Sequence, residues 1–271
     1  MKDRVLSGVT LVAFFMAIVV FNRSFPLALN IAIAFISALA VFEVIKALGL
    51  SDRWYITVPS MTAAVLVQFC EFQQANIFIY SAFTACIFCA LLRHHREITF
   101  KEMAVVYSMV VLIPLALQTI VLVRTLSDQH GMFYALVCVF SAWIPDAGAF
   151  FAGKLFGKHK LCPEISPKKT VEGLIGGVLS SVIILQLVGL IFTYGIYGGQ
   201  ANWLSLFIIG FFGAFVSVLG DLSFSLIKRS CHIKDFGSVI PGHGGILDRF
   251  DSVIFTAPFV YMVTMLLPIV S

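Results

Sequence analysis

Ser225 to Asp251 reads SLIKRSCHIKDFGSVIPGHGGILDRFD and lies between two long apolar runs. It carries Asp235, Asp248 and Asp251, with Asp221 just upstream, and Lys228, Arg229, Lys234, Arg249, His232 and His243. The chain has 271 residues, of which 60% are hydrophobic and 12% charged. A water-soluble domain of this size carries about 25% charged residues. Charge is therefore scarce, and its concentration here marks the stretch that the apolar remainder presents.

That remainder is a series of continuous apolar runs near 20 residues long. As helices, such runs cross a hydrocarbon core of ~30 Å. They do not alternate, which argues against a transmembrane β-barrel. The expected fold is all-α and polytopic, with about nine transmembrane helices over 5–22, 26–45, 54–71, 75–92, 103–123, 132–152, 173–197, 203–224 and 250–270. The first run follows Lys2 and Arg4. No small-residue cleavage site follows it, so an uncleaved helix is expected. With the N-terminus in the cytoplasm, sixteen of the 18 Lys and Arg fall on inside segments, and only Arg23 and Arg124 fall outside. The positive-inside rule then places the C-terminus outside and the loops 153–172 and 225–249 on the cytoplasmic side. Residues 1–130 are expected to anchor the protein, with dimer contact as a further role should the chain pair. Residues 131–271 form the catalytic part of one continuous membrane domain. Arg93-His94-His95-Arg96 is expected to be an interfacial anchor. The six cysteines, including the Cys86-x-x-Cys89 pair, are expected to be packing residues. Glu43 either pairs with a basic residue of the catalytic face or reaches the interface. Pro114, Pro145 and Pro258 lie within spans, where membrane helices tolerate them.

Asp146 and Asp221 fall inside apolar runs. An acid at membrane depth is rare and points to a functional site, against the alternative of a structural pair with a nearby Lys or Arg. If the helix through Asp221 continues past the bilayer, then Asp221, Ser225, Lys228 and His232 share one face. A break is expected at Gly237. Pro241-Gly242-His243-Gly244-Gly245 is a tight turn whose glycines allow close backbone approach and expose N–H groups, which suits phosphate. Asp248 and Asp251 open the last helix, three residues apart. Capping and dipole stabilisation explain one of them, not the whole arrangement.

The other polar loop is basic. Ser166-Pro167-Lys168-Lys169-Thr170, with Glu172 beyond, sets two cations and two hydroxyls beside a helix start. That suits a polyphosphate, although positive-inside anchoring alone would account for the lysines. Gly148-x4-Gly153-Lys154 imitates a P-loop, but Leu155 stands where a magnesium-binding Ser or Thr belongs. Gly173-x3-Gly177 is a candidate helix-packing motif. Carboxylates without a Cys/His cluster suit a hard cation such as magnesium. Together these residues point to metal-dependent phosphoryl or nucleotidyl transfer on a lipid.

The pattern Ser225-x2-Lys228-Arg229-x4-Lys234-Asp235-x-Gly237-x3-Pro241-Gly242-His243-Gly244-Gly245-x2-Asp248-Arg249-x-Asp251 resembles the signature of the CDP-diacylglycerol synthase (phosphatidate cytidylyltransferase) family. Asp146 to Gly177 is similar to that family's second well-kept region. The two stretches cover about a quarter of the chain. The resemblance implies transfer of CMP from CTP to phosphatidic acid, giving CDP-diacylglycerol and pyrophosphate, in phospholipid biosynthesis at a bacterial inner membrane. It implies magnesium, a monovalent cation such as potassium, and a homodimer. No nucleic-acid partner is expected. Asp221 and Asp248 are the first expected metal ligands, with Asp251 and Asp146 next. Lys228, Arg229 and Lys234 would neutralise phosphates, followed by Lys168, Lys169 and Arg249. Ser166, Ser225, Asp235, His243, Gly244 and Gly245 complete the expected substrate contacts. The alternatives are a CTP-dependent transferase or kinase for another membrane lipid and, from a different class, an anion or nucleotide transporter. The crowding of polar residues in the C-terminal half argues against the transporter, which would need matched repeats in both halves.

Overall fold

Among the described residues of this computed structural model, seven helices of 20 to 28 residues are long and apolar enough to cross a membrane. The structure describes residues 16–18, 21–22, 24–70, 73–196, 199–237 and 244–270. In chain order the helices are α1 (Ala28–Ala47), α2 (Trp54–Leu66), α3 (Gln73–Arg93), α4 (Phe100–Thr125), α5 (Gly131–Phe156), α6 (Val171–Ile191), α7 (Trp203–Ser230) and α8 (Leu247–Leu266). The chain is a polytopic helical membrane protein. Seven of the expected spans correspond to these long helices. The expected span 54–71 is the short α2 with a 3-10 turn at Val67–Phe69, and the span 5–22 lies largely outside the described residues. The all-α expectation needs one amendment. The loop after α5 contains an antiparallel hairpin of β1 (Lys160–Cys162) and β2 (Ser166–Thr170). Helix α7 ends at Ser230, short of the expected break at Gly237, and His232 lies beyond it in a left-handed conformation with φ of 55°.

The chain divides into two compact units. One takes residues up to Val121 together with Cys231–Phe250, and the other takes Leu122–Ser230 with Asp251–Ser271.

In the first unit, α2 and its 3-10 turn are about 24 Å long as a helix, a few ångströms less than the ~30 Å hydrocarbon core. A helix that stops inside a membrane protein leaves carbonyls needing donors. Side-chain amides supply them. Gln118 Nε2 donates to the carbonyls of Val67 (2.7 Å) and Cys70 (2.8 Å), and Asn30 Nδ2 donates to the carbonyl of Gln68 (2.8 Å). Gln68 Nε2 donates to the Pro114 carbonyl at 2.9 Å, and Asn76 Nδ2 donates to Gln118 Oε1 at 2.9 Å. Gln118→Leu strips the donors from two carbonyls. It is expected to cost roughly 1–3 kcal/mol, read as a lowered unfolding temperature in detergent. An unchanged temperature would show that the amide is dispensable.

In the second unit, α5 and α6 approach as closely as backbones allow. A Cβ on Gly177 would lie 2.8 Å from the Pro145 carbonyl oxygen, and one on Gly173 would lie 2.9 Å from that of Ala149. Gly176 faces Ala152, and Gly148 faces Ser180. The packing motif and the P-loop imitation are therefore two sides of one helix contact. The opposite side of α6, with Ile175, Leu179 and Ile183, is exposed apolar surface. At the far end Tyr134 Oη accepts from the Val270 amide at 3.1 Å, and Ser205 Oγ donates to the Leu267 carbonyl at 2.9 Å, tying down the C-terminal segment.

Candidate active site

Helices α5, α7 and α8 bring three acids into one group in the second unit. Asp146 of α5 is held at both oxygens: Ser217 Oγ donates to Oδ1 (3.1 Å) and Ser252 Oγ donates to Oδ2 (2.7 Å). Asp221 follows Ser217 by one turn on α7. Its Oδ1 accepts from Ser225 Oγ at 3.2 Å, and its Oδ2 meets Lys169 Nζ at 2.5 Å. Asp251, which is buried, accepts from the Ser252 amide at 2.8 Å and lies 4.0 Å from Lys228 Nζ. Asp221 stands within electrostatic reach of both Asp146 and Asp251. Of the expected face, Asp221, Ser225 and Lys228 lie on α7, joined by Ser217, but the helix ends before His232 can join it. Gly220 lets α8 come close, since a Cβ there would lie 2.9 Å from the Asp251 carbonyl oxygen.

Lys169 reaches Asp221 from the hairpin. Side chains alternate along a strand, and on β2 Lys168 is exposed while Lys169 is partly buried. The strand runs directly into α6. Thr170 is the N-cap, its Oγ1 accepting from the Gly173 amide at 3.1 Å. Glu172 closes the other edge. It accepts from the amides of Lys158 and His159 and pairs with His159 Nδ1 at 2.6 Å. Ser166 is paired in register with Cys162.

The remaining signature residues belong to the first unit. Asp248 Oδ2 accepts from the amides of Phe236 and Gly245, both at 2.9 Å. Gly244 has a φ of +82°, and a Cβ there would lie 2.9 Å from the same carboxylate oxygen and 3.2 Å from Asp235 Cβ. This is the capping role anticipated for one of the two acids that open α8. Lys234, Asp235 and Arg229 (the last in the second unit) are exposed, and Arg249 is partly buried on the first turn of α8. His243 lies outside the described residues. Glu43 does neither of the things expected of it. It is buried and accepts from the amides of Ile246 and Leu247.

Residues 2–267 match the model of the cytidylyltransferase family. The chain belongs to the cytidylyltransferase family. A phosphatidate cytidylyltransferase of Bacillus subtilis is 31% identical over 272 residues, covering 96% of each chain. Those of Haemophilus influenzae and Aquifex aeolicus are 40% and 45% identical over 135 residues, about half of this chain and about half the length of each relative.

As a member of the cytidylyltransferase family, the chain offers donors that fit a hard cation. The three carboxylates outnumber the two lysines in the second-unit group, an excess of acidic oxygens among largely buried atoms that suits a cation. Among the described residues no group of three or more Asp, Glu, His or Cys side chains is placed to hold a metal ion by itself. Magnesium suits such an open arrangement, because it keeps waters and takes phosphate oxygens as ligands. Ser217 and Ser252 were not singled out from the sequence. The available signals were that Ser217 precedes Asp221 by one turn and that Ser252 adjoins Asp251.

Proposed function

We propose that the chain is a phosphatidate cytidylyltransferase that transfers CMP from CTP to phosphatidic acid, releasing pyrophosphate. The single observation that carries this is the grouping of Asp146, Asp221 and Asp251 with Lys169 and Lys228 in a member of the cytidylyltransferase family. A phosphate oxygen of phosphatidate attacks the α-phosphorus of CTP. A new P–O bond forms, the bond to the β-phosphate's bridging oxygen breaks, and pyrophosphate leaves. Phosphatidate is anionic at neutral pH, so the reaction needs no general base.

Asp146, Asp221, Asp248 and Asp251 are the proposed magnesium ligands. Bound magnesium would neutralise charge on the phosphates of CTP. The protein's own contribution is positioning and charge. Lys228, Arg229 and Lys234 neutralise phosphates, assisted by Lys168, Lys169 and Arg249. Ser217, Ser225 and Ser252 fix the carboxylate orientations. Ser166, Asp235, His243 and Gly244 are the proposed further substrate contacts, and Gly245 lines the same turn with its amide held by Asp248. A monovalent cation such as potassium and a homodimeric state complete the proposal. So does the topology: nine spans, an N-terminus in the cytoplasm, a C-terminus outside, and the reaction on the cytoplasmic side of an inner membrane. The charge distribution supports that orientation.

The test supplies the purified protein in phosphatidate-containing mixed micelles with CTP labelled on the α-phosphorus. Labelled CDP-diacylglycerol is expected. Chelation should lower the rate by at least about 100-fold, and added magnesium should restore it. Transfer of a γ-label, or no labelled lipid, would overturn the reading.

A further inference from the structure

Glu43 is a buried acid with no part in the transfer reaction as described above. It lies near the C-terminal end of α1, 2% exposed, more than 200 residues before its partners. One carboxylate oxygen accepts from the Ile246 amide and the other from the Leu247 amide, each at 2.9 Å. Those amides open α8, and free helix-start amides are natural anion sites. The neighbouring amides of Phe236 and Gly245 are taken by Asp248. Four backbone donors around the start of α8 are thus held by two of the chain's own carboxylates.

The glycines confirm how tightly the segment closes. A Cβ on Gly237 or on Gly245 would run into the Glu43 carboxylate. The expectation that Gly245 bares its amide for phosphate therefore changes, since that amide and the next two face carboxylates of the protein.

We propose that Glu43 is a positioning residue for the transfer reaction: it fills the anion-binding start of α8 with a resident charge, fixes the turn that carries Asp248 and Arg249, and leaves phosphate recognition to side-chain cations. The inference rests on the proposed cytidylyltransferase activity for its kinetic consequence only. Glu43→Gln keeps the shape but replaces one acceptor oxygen with a donor, opposite an amide that also donates. Its kcat/KM is expected to fall about 10- to 100-fold, mostly through kcat, and Glu43→Asp should recover part of the loss.

The deciding readout is amide hydrogen exchange across 244–250 in the full-length protein. It is expected to accelerate at least about tenfold in Glu43→Gln, while α5 and α6 peptides stay unchanged. Should Glu43→Gln fail to fold, Gly245→Ala disturbs the same carboxylate from the opposite side and is read in the same way. Unchanged exchange at 244–250, acceleration throughout the chain, or full activity of Glu43→Gln would each overturn the proposal. A wild-type protein that makes no CDP-diacylglycerol would instead sink the activity, and the exchange result would still decide the role of Glu43 in holding the turn.

Discussion

Asp221→Asn is expected to lower CMP transfer by about 10³-fold, with the protein still folded. The substitution preserves shape and an oxygen for the Ser225 hydroxyl, which bonds at 3.2 Å. It removes the charge opposite Lys169, now 2.5 Å away, and takes one negative donor from the group that includes Asp146 and Asp251. A metal-binding role and a structural pairing role for Asp221 predict different companions. If Asp221 serves only to hold Lys169, then Lys169→Met together with Asp221→Asn should recover activity. If it serves the reaction, the double variant stays inactive. Glu97→Gln provides the control, because Glu97 lies in the exposed turn after α3, paired with Arg53, and should keep activity within about twofold. Full activity of Asp221→Asn would remove this acid from the mechanism.

The second large effect concerns stability. Gly177→Leu is expected to prevent accumulation of folded protein, at a cost of about 3 kcal/mol or more. Its Cβ alone would lie 2.8 Å from the Pro145 carbonyl oxygen and 3.2 Å from Ala149 Cβ, and the rest of a leucine has no room. Membrane helices gain little from apolar burial, since lipid is as apolar as leucine, so close contact carries the association. Leu179→Ala, two residues on and facing outward at 57% exposure, should leave stability nearly unchanged. Size-exclusion profiles taken through a thermal ramp separate the two cases. Equal stability of Gly177→Leu and the parent would contradict the close packing of α5 on α6. The contact also bears on Asp146, which adjoins Pro145 on the packed helix.

Much of this arrangement was legible in the sequence because it follows helical spacing. Asp221, Ser225 and Lys228 share a face by periodicity alone, and acids at membrane depth identify themselves by their cost. The Gly173-x3-Gly177 motif gave one side of a helix contact; its other side looked like a defective P-loop until the helices were seen together. Other features depend on contacts that no local pattern encodes. The hairpin has strands of three and five residues with Pro167 inside one of them, too short to alternate visibly. Glu43 meets the start of α8 across a separation of 203 residues. His232, just past the end of α7 at Ser230, takes a backbone conformation that L-residues rarely adopt, so the helical face that spacing extends to it stops at Lys228.

The hairpin has a consequence for turnover. A lysine in an unstructured loop would give up about 1–2 kcal/mol of backbone freedom each time it settled against a charge. Lys169 sits on a strand that is paired with β1, fastened by Glu172 and continuous with a capped helix. Its ordering entropy is therefore lost once, when the chain folds, and is not charged again against each catalytic cycle.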